Sequence, residues 1–258
     1  MGIIHPYFPT NIALQMAKMA KAETFVETGT YEGRTAKWAA IEFRNVFTIE
    51  LSEQLYNLYK DELLAKGNIT PRLGNSKEIL PDLFKIIDGN IIFWLDAHYS
   101  YDNITAGADD PCPLRDELKI ILKRRNDDII IIDDARLFTG GVFPSIVEIY
   151  KIANETAEIK RHLQVCNDHI YIVPDKDEYK YLLLEYLAAQ DTVLWGMYLK
   201  CWNIYSNWDS RSKLKKIMYS KLKEKRRKKI ELYPLLLSAL KKIGLYSIAR
   251  KIKRAIKG

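Results

Sequence analysis

Cysteine is scarce in this 258-residue sequence. Cys112, Cys166 and Cys201 are odd in number and widely spaced, which excludes a disulfide framework and a zinc-binding pattern and suits a reducing compartment. No stretch approaches the ~18 uninterrupted apolar residues of a membrane span. The opening Met1-Gly2-Ile3-Ile4-His5-Pro6 has no basic region followed by a long apolar run, so no secretory signal is expected. Gly2 also lacks the following Ser or Thr of a myristoylation site. A closely spaced Gly-x-Gly-x-x-Gly is missing, because Tyr31 stands where its second glycine would be, and this argues against an oxidoreductase.

What is present reads as an ordinary globular chain, with 48% hydrophobic and 28% charged residues, long enough for one large α/β domain and an appendage. The net charge of +7 conceals an asymmetry. Residues 211–258 hold 18 Lys and Arg against Glu224 and Glu231, a net of +16, whereas residues 1–210 carry 22 basic and 31 acidic residues, a net of −9. The two parts are expected to have different partners.

The chain is organised around residues 22–41. A Phe, Val and Thr-rich run ends in Glu27-Thr28, Gly29 and Gly33 break it, and Ala36, Trp38 and Ile41 continue at helical spacing, which predicts a strand, a tight turn and a helix. The glycines allow close approach of backbone to a ligand, and the N–H groups opening the helix supply donors. A carboxylate at the strand end disfavours a phosphate and favours a cationic or hydroxyl-rich ligand. Asn45 to Glu50 is a second strand ending in an acid, 23 residues beyond Glu27, the position at which a Rossmann-type unit holds ribose hydroxyls.

Glu27-Thr28-Gly29-Thr30-Tyr31-Glu32-Gly33 resembles the first motif of the class I S-adenosylmethionine-dependent methyltransferases, keeping its first and third glycines. The resemblance covers residues 20–175. It implies S-adenosylmethionine as cofactor, bound through Glu27, Gly29, Thr30, Gly33 and Glu50, with Asn75, Ser76 and Asp96 contributing from later strand ends. A Gly-Asn turn after the strand Ile69–Leu73 is the bland alternative for Asn75 and Ser76.

Two continuous apolar runs, 91–95 and 129–132, suit central parallel strands buried on both faces. The first closes in Asp96-Ala97-His98-Tyr99 and the second in Asp133-Asp134-Ala135-Arg136. Three carboxylates converging at neighbouring strand tips would repel unless a hard cation such as Mg²⁺ were held there. Metal-dependent O-methyltransferases of the catechol and macrocin types have a similar arrangement. By that resemblance Asp96, Asp133 and Asp134 are metal ligands and His98 is the general base, while helix caps and salt bridges are the competing account of the acids. Tyr99 and Arg136 are substrate candidates, and residues 99–113 are a candidate acceptor lid. Cys112, flanked by prolines, reads as packing.

Helices are expected over 11–22, 52–66, 114–125 and 144–153, and a closing hairpin over 159–173 with Asn167-Asp168 as its turn. The predicted architecture is α/β: a doubly wound, Rossmann-like seven-stranded sheet with a closing antiparallel hairpin in residues 1–175, then a basic helical C-terminal extension in 176–258. In the extension, residues 179–205 are crowded with Leu, Tyr and Trp, and 235–256 is a basic amphipathic helix that suits an anionic membrane surface. Nucleic acid competes for the same charges. The expected activity is O-methylation of a sugar or surface-polysaccharide intermediate, with a lipid-linked acceptor and a cytoplasmic location peripheral to the inner face of a membrane. Oligomers are compatible with this. The alternatives are an RNA-modifying methyltransferase, against which stand an acidic core and the lack of an Asn-Pro-Pro-Tyr segment, and a non-catalytic nucleotide-binding or membrane-adaptor protein.

Overall fold

The computed structural model describes residues 8–97 and 110–187. The expected base His98, the substrate candidate Tyr99, most of the loop assigned as a lid, and nearly all of the C-terminal extension lie outside the described residues.

Five parallel strands run β1 (Thr24–Thr28), β2 (Asn45–Glu50), β3 (Ile69–Leu73), β4 (Ile91–Leu95) and β5 (Ile129–Ile132), and β6 (Arg161–Cys166) and β7 (His169–Pro174) complete one sheet of order β3-β2-β1-β4-β5-β7-β6. β7 is antiparallel to both β5 and β6. This is the doubly wound, Rossmann-like sheet with a closing hairpin expected from the sequence. Strand order reverses between β1 and β4, and ligands of open α/β sheets enter at such a reversal, outside the carboxyl ends of the strands.

The helices are α1 (Thr10–Ala20), α2 (Arg34–Glu42), α3 (Glu53–Leu64), α4 (Ser76–Leu83), α5 (Leu114–Ile121) and α6 (Ile146–Thr156). Two hydrophobic layers follow from the alternation of side chains along the strands. Phe25, Ile92, Trp94 and Ile131 pack with α1 and α2 on one face, and Val26, Phe93, Ile130 and Ile132 pack with α4, α5 and α6 on the other. β4 and β5 are apolar throughout because both of their faces are covered. Phe8 seals the first layer, its ring 5.4, 4.7 and 4.9 Å from Phe25, Trp38 and Trp94. Residues 177–187 are helical, and Tyr179 and Leu183 are buried in that same layer.

Turn chemistry fixes the ends of several elements. Ser52 caps α3 by accepting from the Leu55 N–H at 3.3 Å, and Ser145 caps α6 by accepting from Glu148 N–H at 3.1 Å. The hairpin turns on Asn167 and Asp168, both left-handed at φ 51° and 66°, the pairing that matches strand twist. α4 was not anticipated, since Pro81 interrupts its pattern, yet Asn75 caps it by accepting from Lys77 N–H at 3.1 Å.

Candidate active site

The turn after β1 and the acid ending β2 form one bonded unit. Glu50 Oε2 accepts from Tyr31 N–H at 2.9 Å and Oε1 from Ser52 N–H at 2.8 Å. Burial raises the Glu50 pKa, and these amides oppose the rise. Tyr31 adopts φ 48°, a left-handed backbone that explains why a glycine suits this position, and its ring stands half exposed at the rim. Gly29 and Gly33 also answer to packing within the protein. A Cβ on Gly29 would lie 2.5 Å from the Asp96 carbonyl oxygen, and one on Gly33 would lie 2.7 Å from Leu63 Cδ2.

Glu27 lies beneath this turn, 2% exposed, and Thr48 Oγ1 donates to its Oε2 at 2.7 Å. The Thr30 and Thr48 hydroxyls are 2.6 Å apart, so Thr30 belongs to this internal chain. Burial pushes the Glu27 carboxyl up to about 8; the Thr48 and Thr35 hydroxyls pull it down and Glu50 adds to the rise. The free protein therefore holds a largely neutral acid at its central strand tip.

On the opposite face of the sheet is an acid that the sequence reading passed over. Glu117 of α5 is 1% exposed, with the hydroxyls of Ser76, the first residue of α4, and Thr28, the last of β1, beside its carboxyl. Its place was legible: Glu117 falls on the same helical face as Leu114, Leu118 and Ile121, where a charge is out of pattern. Burial pushes it up to about 7. Asn75, expected at the ligand, has its side-chain oxygen engaged as the α4 cap.

At the tips of β4 and β5 the expected metal triad is not assembled. Asp134, left-handed at φ 55°, turns its carboxylate to Arg136, whose guanidinium donates to Asp134 Oδ1 at 2.6 Å and also to Asp168 of the hairpin turn. Asp133 Oδ1 accepts from Asp134 N–H at 2.8 Å and lies 3.4 Å from His169 Nε2. Asp96 joins the β1 tip through its amide, which donates to Thr28 O at 3.0 Å. Among the described residues no three His, Cys, Asp or Glu side chains are grouped to hold a metal ion. Of the three expected ligands, Asp134 is paired with a guanidinium. The same pairing commits Arg136, expected at the substrate, to the protein's own carboxylates. Cys112 is buried, as expected, and its thiol is pushed up to about 11 by that burial.

No protein-family model and no curated protein matches this chain. Several solved structures share its chain path. They include the O-methyltransferase TomG from Streptomyces achromogenes, involved in tomaymycin synthesis and solved with S-adenosylmethionine, at 17% identity and TM-score 0.44 over 63% of this chain and 78% of that one. Precorrin-6y C5,15-methyltransferase from Geobacter metallireducens matches at 12% identity and TM-score 0.41, covering 63% and 85%. Precorrin 8w decarboxylase from Methanobacterium thermoautotrophicum matches at 15% and 0.41, covering 67% and 96%. At these identities and scores the likenesses add nothing to the fold already given by the strand order.

Two faces of the β1 tip therefore present buried carboxyls, Glu27 on one and Glu117 on the other, with Glu50 alongside. Carboxyls in these places disfavour anions and favour ligands that bring hydrogen-bond donors or positive charge.

Proposed function

We propose that the chain is an S-adenosylmethionine-dependent methyltransferase that methylates a hydroxyl group, with a sugar on a lipid-linked or surface-polysaccharide intermediate as acceptor. The observation that carries this reading is the placement of Glu27 and Glu50 on either side of the Gly29–Gly33 turn, beside the point where strand order reverses. S-adenosylmethionine, when bound, supplies a methyl group on a positively charged sulfur. Glu50 offers lone pairs to ribose hydroxyls while its amide partners fix its orientation. Glu27, buried beside the Thr48 and Thr35 hydroxyls and near Glu50, suits a ligand that carries positive charge.

Methylation of a hydroxyl also requires a proton acceptor, and His98, two residues beyond Asp96, is assigned that role. The basic residues of 211–258 are proposed to hold the protein at an anionic membrane surface, which brings it to a lipid-linked acceptor.

Calorimetric titration with S-adenosylhomocysteine tests the reading. Wild type is expected to bind, and Glu50→Gln, which removes the charge and keeps an acceptor oxygen for only one of the Tyr31 and Ser52 amides, is expected to bind at least roughly tenfold more weakly, with its melting temperature reporting that it is folded. Absence of binding by the wild type would overturn the reading. Repeating the titration with Mg²⁺ asks the separate question: a metal-dependent heat that disappears in Asp133→Ala, Asp134→Ala would restore the acidic pair as ligands.

A further inference from the structure

An open sheet ends in strands whose outer backbone groups have no ladder partner, and proteins ordinarily blunt such edges with proline, charge or a covering element. The two edges of this sheet are β3 and β6. β3 carries Pro71, which has no N–H to offer, beside an exposed Arg72. β6 has neither device. Its six residues contain no proline, and its one permanently charged side chain, Arg161, is buried, donating to the carbonyls of Asp128 and Asn126 at 2.6 and 2.9 Å.

The hairpin register fixes which backbone groups of β6 face outward. Cys166 is paired with His169 across a two-residue turn, and such turns close on a pair that exchanges both hydrogen bonds. Bonding to β7 then alternates through Cys166, Gln164 and His162, and Asp175 N–H, donating to the Lys160 carbonyl at 2.9 Å, continues the series. The N–H and C=O groups of Arg161, Leu163 and Val165 therefore point away from β7, and among the described residues no strand lies beyond them. Val165 is 38% exposed, and Leu163 packs at the margin of the second hydrophobic layer.

We propose that β6 is the docking surface for a second copy of this chain, pairing antiparallel with the same strand about a twofold axis at Leu163. In that register Leu163 meets Leu163 of the second copy and Val165 meets Arg161, so all three outward residues of each strand exchange hydrogen bonds. The strand's own chemistry favours its like as partner. With the Arg161 guanidinium turned inside, two such strands meet without repulsion, and two partly buried leucines complete each other's cover. The proposal does not depend on the cofactor reading, and β5 and β7 separate this edge from the point where strand order reverses.

Light scattering of the full chain as it leaves a sizing column is expected to give twice the mass of one chain. Val165→Pro removes only an outward N–H, and Val165→Lys places a charge on the edge. Each is expected to raise the dimer dissociation constant at least roughly tenfold, with the melting temperature reporting that the variant is folded. Register is read by disulfide formation. Leu163→Cys brings two thiols together on the axis, where hydrogen-bonded residues lie ~5.5 Å apart between Cα atoms, within disulfide range. On oxidation it is expected to give covalent dimer beyond that of wild type and of Gln164→Cys. A monomeric wild type, whether residues 188–258 or a foreign peptide cover β6 instead, would overturn the proposal. So would a dimer that survives both Val165 substitutions, or one that cross-links equally through Gln164→Cys, because the copies would then meet elsewhere or in another register.

Discussion

Glu27 shows how one buried side chain can dominate the pH response of the protein. Its carboxyl titrates near the ordinary 4.5 in the unfolded chain and at about 8 in the folded one. Between these values the folded state binds more protons, so the stabilising contribution is complete below the unfolded pKa and is lost as pH rises through the folded one. Glu117, raised to about 7, acts in the same direction. The melting temperature is therefore expected to fall by several degrees between about pH 5 and pH 8, and Glu27→Gln is expected to flatten that slope. Thermal unfolding across pH checks this, and an equal slope in wild type and variant would count against a neutral buried acid. The identity of Glu27 as a strand-end acid was legible in the sequence. Its protonation state was not, because it depends on Thr48, 21 residues away, and on a depth of burial that only the packed sheet creates. The glycines were legible as a turn, but the atoms they avoid, Asp96 O and Leu63 Cδ2, come from other elements.

Elements are braced at the end of the sheet opposite the site, where Asp128 does most of the joining. Its side chain is fully buried, with Oδ1 accepting from Ile91 N–H at 2.8 Å and Oδ2 from Arg124 Nε at 2.8 Å, while its carbonyl accepts from Arg161 at 2.6 Å. One residue thereby ties β5 to β4, α5's following turn and β6. Asp128→Ala leaves Arg124 and the Ile91 amide without these partners, and a loss of ~3–5 kcal/mol is expected in urea unfolding. A loss below about 1 kcal/mol would show the brace to be dispensable. Periodicity made most elements readable: β3 and β5 run as expected, and α3 begins after its serine cap. α4 was hidden because Pro81 lies inside it, and only the Asn75 cap marks its start. Strand-end acids were read correctly as lying at strand ends. Their partners were not, since Arg136 reaches both its near neighbour Asp134 and the distant hairpin residue Asp168.

For the molecule as a whole, the alternation of apolar strands with helices, then a two-residue turn between two strands, was enough to predict the sheet and its closing hairpin. The contrast between an acidic residue range 1–210 and a basic range 211–258 gives the final prediction. The protein is expected to sediment with vesicles containing phosphatidylserine, to be released at high salt, and to lose this binding when the seven Lys and Arg of 221–229 are changed to Gln. Retention of binding in that variant would remove the charged segment as the cause. No helix among the described residues is long and apolar enough to cross a membrane. Elsewhere on the surface, Arg115 joins three parts of the chain: it pairs with Glu148 of α6 through two bonds of 2.7 and 3.1 Å and donates to the carbonyls of Val142 and Gly141 at 2.7 and 3.1 Å. Exposed glycine loops are ordinarily where proteases nick a chain, because cleavage demands that several residues peel away and extend. The Gly140-Gly141-Val142 segment is exposed, but the carbonyls of Gly141 and Val142 are both held by Arg115 of α5, itself paired with Glu148 of α6, so this segment is a poor hinge and a poor substrate for proteolysis.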